Sequence, residues 1–420
     1  MTAAVRLSAC PDHRARYFID LFSGCGGLSL GLSMAGWKGL FAVEKSDDAF
    51  ATFKHNLCED GARFKFDWPD WLPCDAMTTS QLLEEHGDRL KGLRGEVSLI
   101  AGGPPCQGFS MAGLRGNDDP RNRLTEEYIE IVRLIEPQYL LLENVRGFQH
   151  PFAEDELPYS ERVAQSLASV GQFGYEVYSD LLDTSEFGVP QMRKRFIMIC
   201  VRKDLCSSSN DPLDLIRENV PAFRQERALG GGHLGVQQAI GDLEIRNMAP
   251  VEYIDDPRFK QIKYTGRRSL TPFQRLMRAD VEPHYSPDSL RLPNHRPEIA
   301  ERFAKILAEC PRGRSLSPAN REKFSTKKQC LTPLHPTMLA RTVTTLPDDM
   351  IHYSEPRILT VRENARLQTF PDWFGFKGKY TTGGHRRKHE CPRYTQVGNA
   401  VPPLLAEAIG ETLLEIDLNE

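Results

Sequence analysis

Through the first two hundred residues, short apolar runs alternate with stretches whose apolar positions recur at helical spacing. Tyr17–Phe22 predicts a first strand and Leu28–Ala35 a helix after a glycine turn. Leu40–Glu44 predicts a second strand and Asp47–Leu57 a second helix. The runs Val97–Ala101, Tyr139–Glu143 and Phe196–Val201 are apolar on both faces, as strands covered by helices on both sides must be. Thr125–Glu136 predicts a helix that stops at Pro137, whose ring replaces the N–H. This rhythm predicts a doubly wound α/β sheet.

The rhythm breaks after Val201. Cys206–Pro212 is polar and turn-rich and reads as a linker. From 203 to 355 the pattern is irregular and rich in Pro, Arg and Lys, with no internal repeat. Val361–Leu367 and Pro403–Leu414 are helical again. The predicted organisation is a first part of the α/β domain at 1–202, a smaller irregular domain at 203–355, and a segment at 356–420 that returns to the first domain.

A chain of 420 residues fits two domains, or one large domain with an insertion. The formal net charge of −4 singles out no partner, so a nucleic-acid binder of this composition must gather its basic residues on one face. Ten cysteines are scattered without a C-x-x-C pair, which excludes a disulfide framework, disfavours structural zinc and fits a reducing compartment. Met1–Arg16 has no long apolar core, so no signal peptide is expected, and no run reaches the roughly eighteen apolar residues of a membrane span. A cytoplasmic protein is the expectation.

Two loops carry chemistry. Gly24, Gly26 and Gly27 lie between the first strand and helix, where a backbone can approach a ligand closely. Ser29 stands where a dinucleotide fingerprint has its third glycine, which disfavours a nicotinamide dehydrogenase. Glu44 ends the next strand, where an acid can bind ribose hydroxyls; a tight turn with a surface acid is the plainer alternative. The second loop, Gly102-Gly-Pro-Pro-Cys-Gln-Gly-Phe-Ser110, follows a buried strand and holds Cys106 on a stiff backbone. A free cysteine is usually a small buried hydrophobe, but a partly ionised one in such a loop is a good nucleophile.

The second loop resembles the catalytic motif of the cytosine-5 DNA methyltransferases. Further blocks agree in the family's order: Asp20–Leu28, Glu44, Asp75, Asp119–Leu124, Glu143-Asn-Val145, Phe187–Arg195, Arg357–Pro371 and Arg393–Pro402. Together they cover about 17–201 and 357–415. Lys45 and Asn122 depart from the residues frequent in relatives.

The resemblance implies methyl transfer from S-adenosylmethionine, with S-adenosylhomocysteine as product, to a cytosine flipped out of double-stranded DNA. It implies Cys106 as nucleophile, Glu143 as the partner of ring N3, Arg195 at the cytosine carbonyl and Arg193 beside it. Phe22, Gly24, Gly26, Gly27, Glu44, Asp75, Pro105, Leu124 and Asn399 would form the cofactor pocket. Ser110 and Arg121 resemble phosphate contacts. Gln191 belongs to the same Q-x-R-x-R block as Arg193 and Arg195 and is expected at the DNA.

The region 203–355 is where the family holds target recognition. Arg258, Lys260, Lys263, Arg267 and Arg268, interleaved with aromatic residues, suit DNA contacts, although a charge run is more often a solvated face. Arg312–Arg314 and Lys323–Lys328 add further charge. The cluster Lys377–Arg393 includes His385, His389 and Cys391, but its spacing fits no common metal site, and no metal is expected.

A monomer that modifies DNA alongside a cognate restriction endonuclease is the expected setting. A tRNA methyltransferase and a DNA-binding regulator with an idle catalytic domain are the rivals. The usual Cys-Phe-Thr signature of the first is absent, and only about sixteen residues precede the first strand, too few for a helix-turn-helix.

Overall fold

The structure is a computed structural model that describes residues 16–104, 122–151, 157–206, 211–245, 250–266, 269–382 and 390–419. The N-terminal half runs β1 (Tyr17–Leu21), α1 (Gly27–Ala35), β2 (Lys38–Val43), α2 (Asp47–Leu57), α3 (Thr79–Lys91), β3 (Val97–Gly102), α4 (Asn122–Ile135), β4 (Tyr139–Val145), α5 (Tyr159–Ala168), β5 (Tyr175–Asp183) and β6 (Lys194–Arg202). The six strands form one sheet in the order β2-β1-β3-β4-β6-β5. The first four are parallel, and β6 is antiparallel to both neighbours.

The doubly wound expectation therefore holds, with one reversed strand. Alternate residues of each central strand enter opposite cores. Leu99, Leu141 and Ile199 face one, and Ile100, Leu140 and Met198 face the other. Burial on both faces explains why these runs are apolar without alternation. The strand β5 has the polar-interrupted sequence YEVYSDLLD and is half-exposed at the sheet edge, which hid it from the apolar pattern.

Beyond the sheet come α6 (Pro212–Glu226), α7 (Val236–Ile240), β7 (Val251–Glu252), β8 (Lys260–Gln261), α8 (Pro272–Met277), α9 (Pro297–Glu309), α10 (Pro318–Lys323), β9 (Thr332–Pro333), β10 (Met350–Ile351), α11 (Val361–Leu367), α12 (Arg393–Asn399) and α13 (Pro403–Asn419). The polar stretch 206–212 does not open a separate unit. Asp211 caps α6, whose Leu213, Ile216 and Phe223 join the same core as the sheet. That corrects the expected boundary at 203: apolar side chains of α6 and α7 complete the α/β core. Phe273, Met277, Leu334 and Tyr353 join it too, while two small satellite clusters stand apart. One contains Phe303, Ile306 and Phe324, the other Ile262, Tyr264 and Leu290.

The C-terminal helix α13 packs on α1 and α6. A side chain at Gly31 of α1 would begin 2.3 Å from the Pro403 carbonyl and 2.4 Å from Ala406, so glycine is what lets α1 and α13 touch. Trp37 Nε1 donates to the Gly410 carbonyl at 2.9 Å. None of the helices described is long and apolar enough to cross a membrane.

Helix α11 carries three fully buried charged side chains, Arg362, Glu363 and Arg366. Arg366 makes five hydrogen bonds, to the Ala239 carbonyl and to both oxygens of Asp242 and of Asp372, at 2.6–3.2 Å. Arg278 also donates to Asp372, at 2.8 Å. Glu363 closes a capping box with Thr360 and takes both ends of the Arg357 guanidinium, at 2.7 and 2.8 Å. Burial works against the Glu363 carboxylate, but Arg357 outweighs it and holds its pKa down at about 2.

Two outcomes follow from these networks. Arg366→Met should lose about 3–5 kcal/mol in urea unfolding, because two buried carboxylates lose their partner; Arg366→Lys, which keeps the charge, should lose less. The Glu363 contribution is complete above pH 4.5 and disappears as the pH falls towards 2. Urea titrations of wild type and Glu363→Gln across that window should show a shallower acid limb in the variant.

Candidate active site

The chain leaves β1 for β2 on one side and then crosses back to β3 on the other, so the connections diverge between β1 and β3. Ligands bind at such a divergence, outside the carboxyl ends of the strands. Both loops singled out in the sequence start there.

At the first loop, Phe22 has φ +63° and Gly24 and Gly26 have φ +57° and +96°, so the backbone folds sharply back into α1. Glu44 spans the turn. Its Oε2 accepts from the Gly24 N–H at 3.0 Å and its Oε1 from the Ser46 N–H at 2.7 Å. Burial raises its pKa above the usual carboxylate value. Beneath the turn, Asp20 is fully buried and accepts from Ser29 Oγ at 2.5 Å. Burial pushes its pKa to about 7, and Oδ1 has no hydrogen-bond partner. Ser29, which spoils a dinucleotide fingerprint, thus holds an acid under the loop.

A side chain at Gly27 would meet the Val401 carbonyl at 2.4 Å and Ala400 Cβ at 3.3 Å, which brings the end of α12, with exposed Asn399, to the turn. Phe22 is half-buried against the second core, and Leu124 is half-buried on the first turn of α4. Asp75 is exposed and pairs with Lys54 at 3.3 Å. Lys45 is exposed.

The second loop leaves β3 at Gly102, and its Gly103 N–H donates to the Leu21 carbonyl at 3.3 Å. Pro105, Cys106, Ser110 and Arg121 lie outside the described residues. What receives this loop is described. Glu143 Oε2 lies 3.4 Å from where a Gly103 side chain would begin, and Asn144 Nδ2 donates to the Pro104 carbonyl at 3.1 Å. Arg195 Nε sits 2.7 Å from Glu143 Oε1, with both side chains only 13% exposed. The pair forms because β6 is reversed: its first residues lie opposite the last residues of β4, and Arg195 is in register with Val145.

Two residues of the Q-x-R-x-R block face inward. Gln191 is fully buried; its amide donates to the Leu367 carbonyl and to Gln368 Oε1, and accepts from the Val343 N–H, at 2.8–3.0 Å. That corrects its expected place at the DNA: all its polar atoms are used to join 191, 343 and α11. Arg193 is 2% exposed and donates to the carbonyls of Val343, Gly398 and Ala400 at 2.9–3.1 Å. Burial pulls its pKa well down, and it feels the charges of both Arg195 and Glu143. Arg193 is thus spent inside the core on three carbonyls, which corrects its expected place among the reacting groups. Periodicity could not reveal this, since a buried arginine reads like an exposed one.

The basic stretch 258–278 also divides. Arg258 is exposed and held in two hydrogen bonds by Asp256, at 2.7 and 2.8 Å. Lys260 and Lys263 are exposed, and Arg267 and Arg268 lie outside the described residues. The interleaved aromatic residues pack instead of reaching outward. Phe273 and Tyr264 are buried, and Phe259 lies under Arg291 at 4.1 Å, with Tyr380 over the same guanidinium at 3.7 Å. His385 and His389 lie outside the described residues, and no metal-binding group of three His, Cys, Asp or Glu occurs among those described.

Comparison with known proteins agrees with this geometry. The sequence profile of the C-5 cytosine-specific DNA methylases matches residues 17–415. Type II methyltransferase M.XorII of Xanthomonas oryzae pv. oryzae is 30% identical over 413 residues, covering 94% of this chain and 84% of the relative. Type II methyltransferase M.DdeI of Desulfomicrobium norvegicum is 30% identical, covering 94% and 88%. A crystal structure described as a DNA modification methyltransferase encoded within an E. coli prophage superposes with a TM-score of 0.65 at 25% identity, over 96% of this chain and all of the other. The match runs through the glycine turn, the Glu143–Arg195 pair and the returning C-terminal helices alike, and the chain belongs to the C-5 cytosine-specific DNA methylase family as a DNA (cytosine-5)-methyltransferase.

Proposed function

We propose that the enzyme takes its methyl group from S-adenosylmethionine and attacks a flipped-out cytosine of double-stranded DNA with Cys106, as the cytoplasmic, monomeric modification enzyme of a restriction–modification system. The observation that carries the reading is the Glu143–Arg195 pair, 2.7 Å apart, against the Gly103–Pro104 start of the cysteine loop. The relatives M.XorII and M.DdeI, named as type II methyltransferases, support the restriction–modification setting.

The glycine turn fits the cofactor. A side chain at Gly24 would meet nothing within 4 Å, so there is open space above the turn. Glu44, fixed by two backbone N–H groups, keeps acceptor capacity for ribose hydroxyls. Phe22, Asp75, Pro105, Leu124 and Asn399 complete the pocket. S-adenosylmethionine, when bound, supplies an electrophilic methyl group.

The chain's own residues make the cytosine ring reactive. The Cys106 thiolate adds to C6, and C5 gains enamine character. Glu143 holds a proton at ring N3, and Arg195 donates to the carbonyl oxygen, so charge arriving on the ring is stabilised where it appears. After methyl transfer the C5 proton leaves, the ring regains its double bond and the thiolate departs. Arg193 positions Arg195 and does not touch the base. Target recognition falls to the part of 203–355 outside the shared core, with Lys260 and Lys263 as contacts. Ser110, Arg121, Arg267 and Arg268 complete the DNA contacts in this reading.

The decisive experiment expresses wild type and Cys106→Ala in a methylation-free host and maps 5-methylcytosine by bisulfite sequencing. Methylation at one short motif, lost in the variant, is expected; unmethylated DNA from a folded, cofactor-binding wild type sinks the reading and points to RNA substrates. Glu143→Gln should lower kcat by about 10²–10⁴-fold with cofactor affinity retained. Glu44→Ala should weaken S-adenosylhomocysteine binding about 10–100-fold in calorimetry, the loss of hydrogen bonds to a charged group.

A further inference from the structure

The cysteines that look scattered in sequence include two that the fold brings together. Cys58 caps the C-terminus of α2, its N–H donating to the Lys54 carbonyl at 2.9 Å. Cys74 lies in the chain that passes this helix end. Lys54 Nζ donates to the Cys74 carbonyl at 2.8 Å and to Asp75 Oδ1 at 3.3 Å, so one lysine fixes both cysteines. Both thiols are free and partly exposed, pack on the edge of the same core and lie close enough for each to perturb the other's ionisation. The Lys54 ammonium stands at the Cys74 carbonyl, and its positive charge favours a thiolate at Cys74. The methylation chemistry uses neither sulfur.

We propose that Cys58 and Cys74 form a reversible disulfide that weakens cofactor binding through Asp75; the second half of this rests on reading Asp75 as part of the cofactor pocket. The oxidant is a small disulfide such as oxidised glutathione. The Cys74 thiolate attacks one of its sulfurs, forms a mixed disulfide and expels one glutathione thiolate. The Cys58 thiol then loses its proton to solvent and attacks the Cys74 sulfur, expelling the second glutathione. Two protein thiols are oxidised and one oxidised glutathione becomes two thiols. Closure to a sulfur–sulfur bond of about 2.05 Å draws Cys74 towards α2. Asp75, the next residue, moves with it and loses its grip on Lys54.

The test equilibrates the full chain in glutathione buffers of rising oxidised fraction, maps cross-linked peptides by mass spectrometry and measures S-adenosylhomocysteine affinity by calorimetry. A Cys58–Cys74 cross-link is expected in wild type and in neither Cys58→Ser nor Cys74→Ser. Oxidised wild type should bind about tenfold more weakly, with dithiothreitol restoring affinity, Cys74→Ser indifferent to the buffer and Cys58→Ser stopping at a glutathione adduct on Cys74. Separate glutathione adducts without a cross-link overturn the proposal, and a cross-link that leaves affinity unchanged overturns its functional half. Reduced wild type that binds no S-adenosylhomocysteine overturns the pocket reading and that half with it, while the mass map still decides the disulfide.

Discussion

The Arg366 guanidinium is the joint on which the two regions of the molecule depend. It lies on α11, inside the core, and every N–H it has is taken by a carbonyl or a carboxylate. Asp242 follows α7, Asp372 follows α11, and Arg278 ends α8, so one charge network connects three stretches distant in sequence. A buried cation is costly unless fully paired, and the same cost fixes its partners in one geometry. Hydrophobic packing alone is tolerant of small shifts; a five-bonded guanidinium is not. The alignment of the 236–290 region with the sheet is therefore set by polar contacts within an apolar surround.

The same logic extends to the reacting edge. In a wholly parallel sheet, every strand offers only its C-terminal end to the ligand side. Reversing β6 delivers the start of that strand instead, and with it the Q-x-R-x-R block. Arg195 then meets Glu143, while Gln191 and Arg193, on the approach to the strand, turn inward and bond to 343, 367–368 and 398–400. One block of sequence thus supplies the partner of Glu143 and two buried side chains that anchor the approach to the strand.

What was legible in the sequence follows from this arrangement. The central strands showed themselves because both faces are buried, and α2 because its cap, acidic first turn and apolar stripe agree. Edge strand β5 did not, since half-exposed positions carry polar residues. The boundary at 203 was misplaced because the loss of strand–helix rhythm was taken for the end of a core that α6 and α7 in fact complete. Motifs gave the identities of the loop residues but not their orientation. Nothing in the letters distinguishes Arg193, buried on three carbonyls, from Arg195, paired at the mouth. Nor does spacing show that Lys54 ties Cys74 to the helix end capped by Cys58, because the link forms only when the chain returns past α2.

Charge shows the same limit and has a consequence for DNA binding. The basic tracts of 203–355 suggested a surface of free cations. Many are engaged: Arg258 with Asp256, Lys323 with Glu309, Lys328 with Asp349, Arg312 on the Tyr353 carbonyl and Arg278 inside the core. A cation already paired with a carboxylate releases fewer counterions when it meets a phosphate. In a chain of net charge −4, the cations without a carboxylate partner then weigh most in any attraction to a phosphate, and among the described residues of this stretch Lys260 and Lys263 are exposed. Where backbone attraction is weak, contacts to base edges carry more of the discrimination between one DNA site and another, because phosphate contacts hold no sequence information.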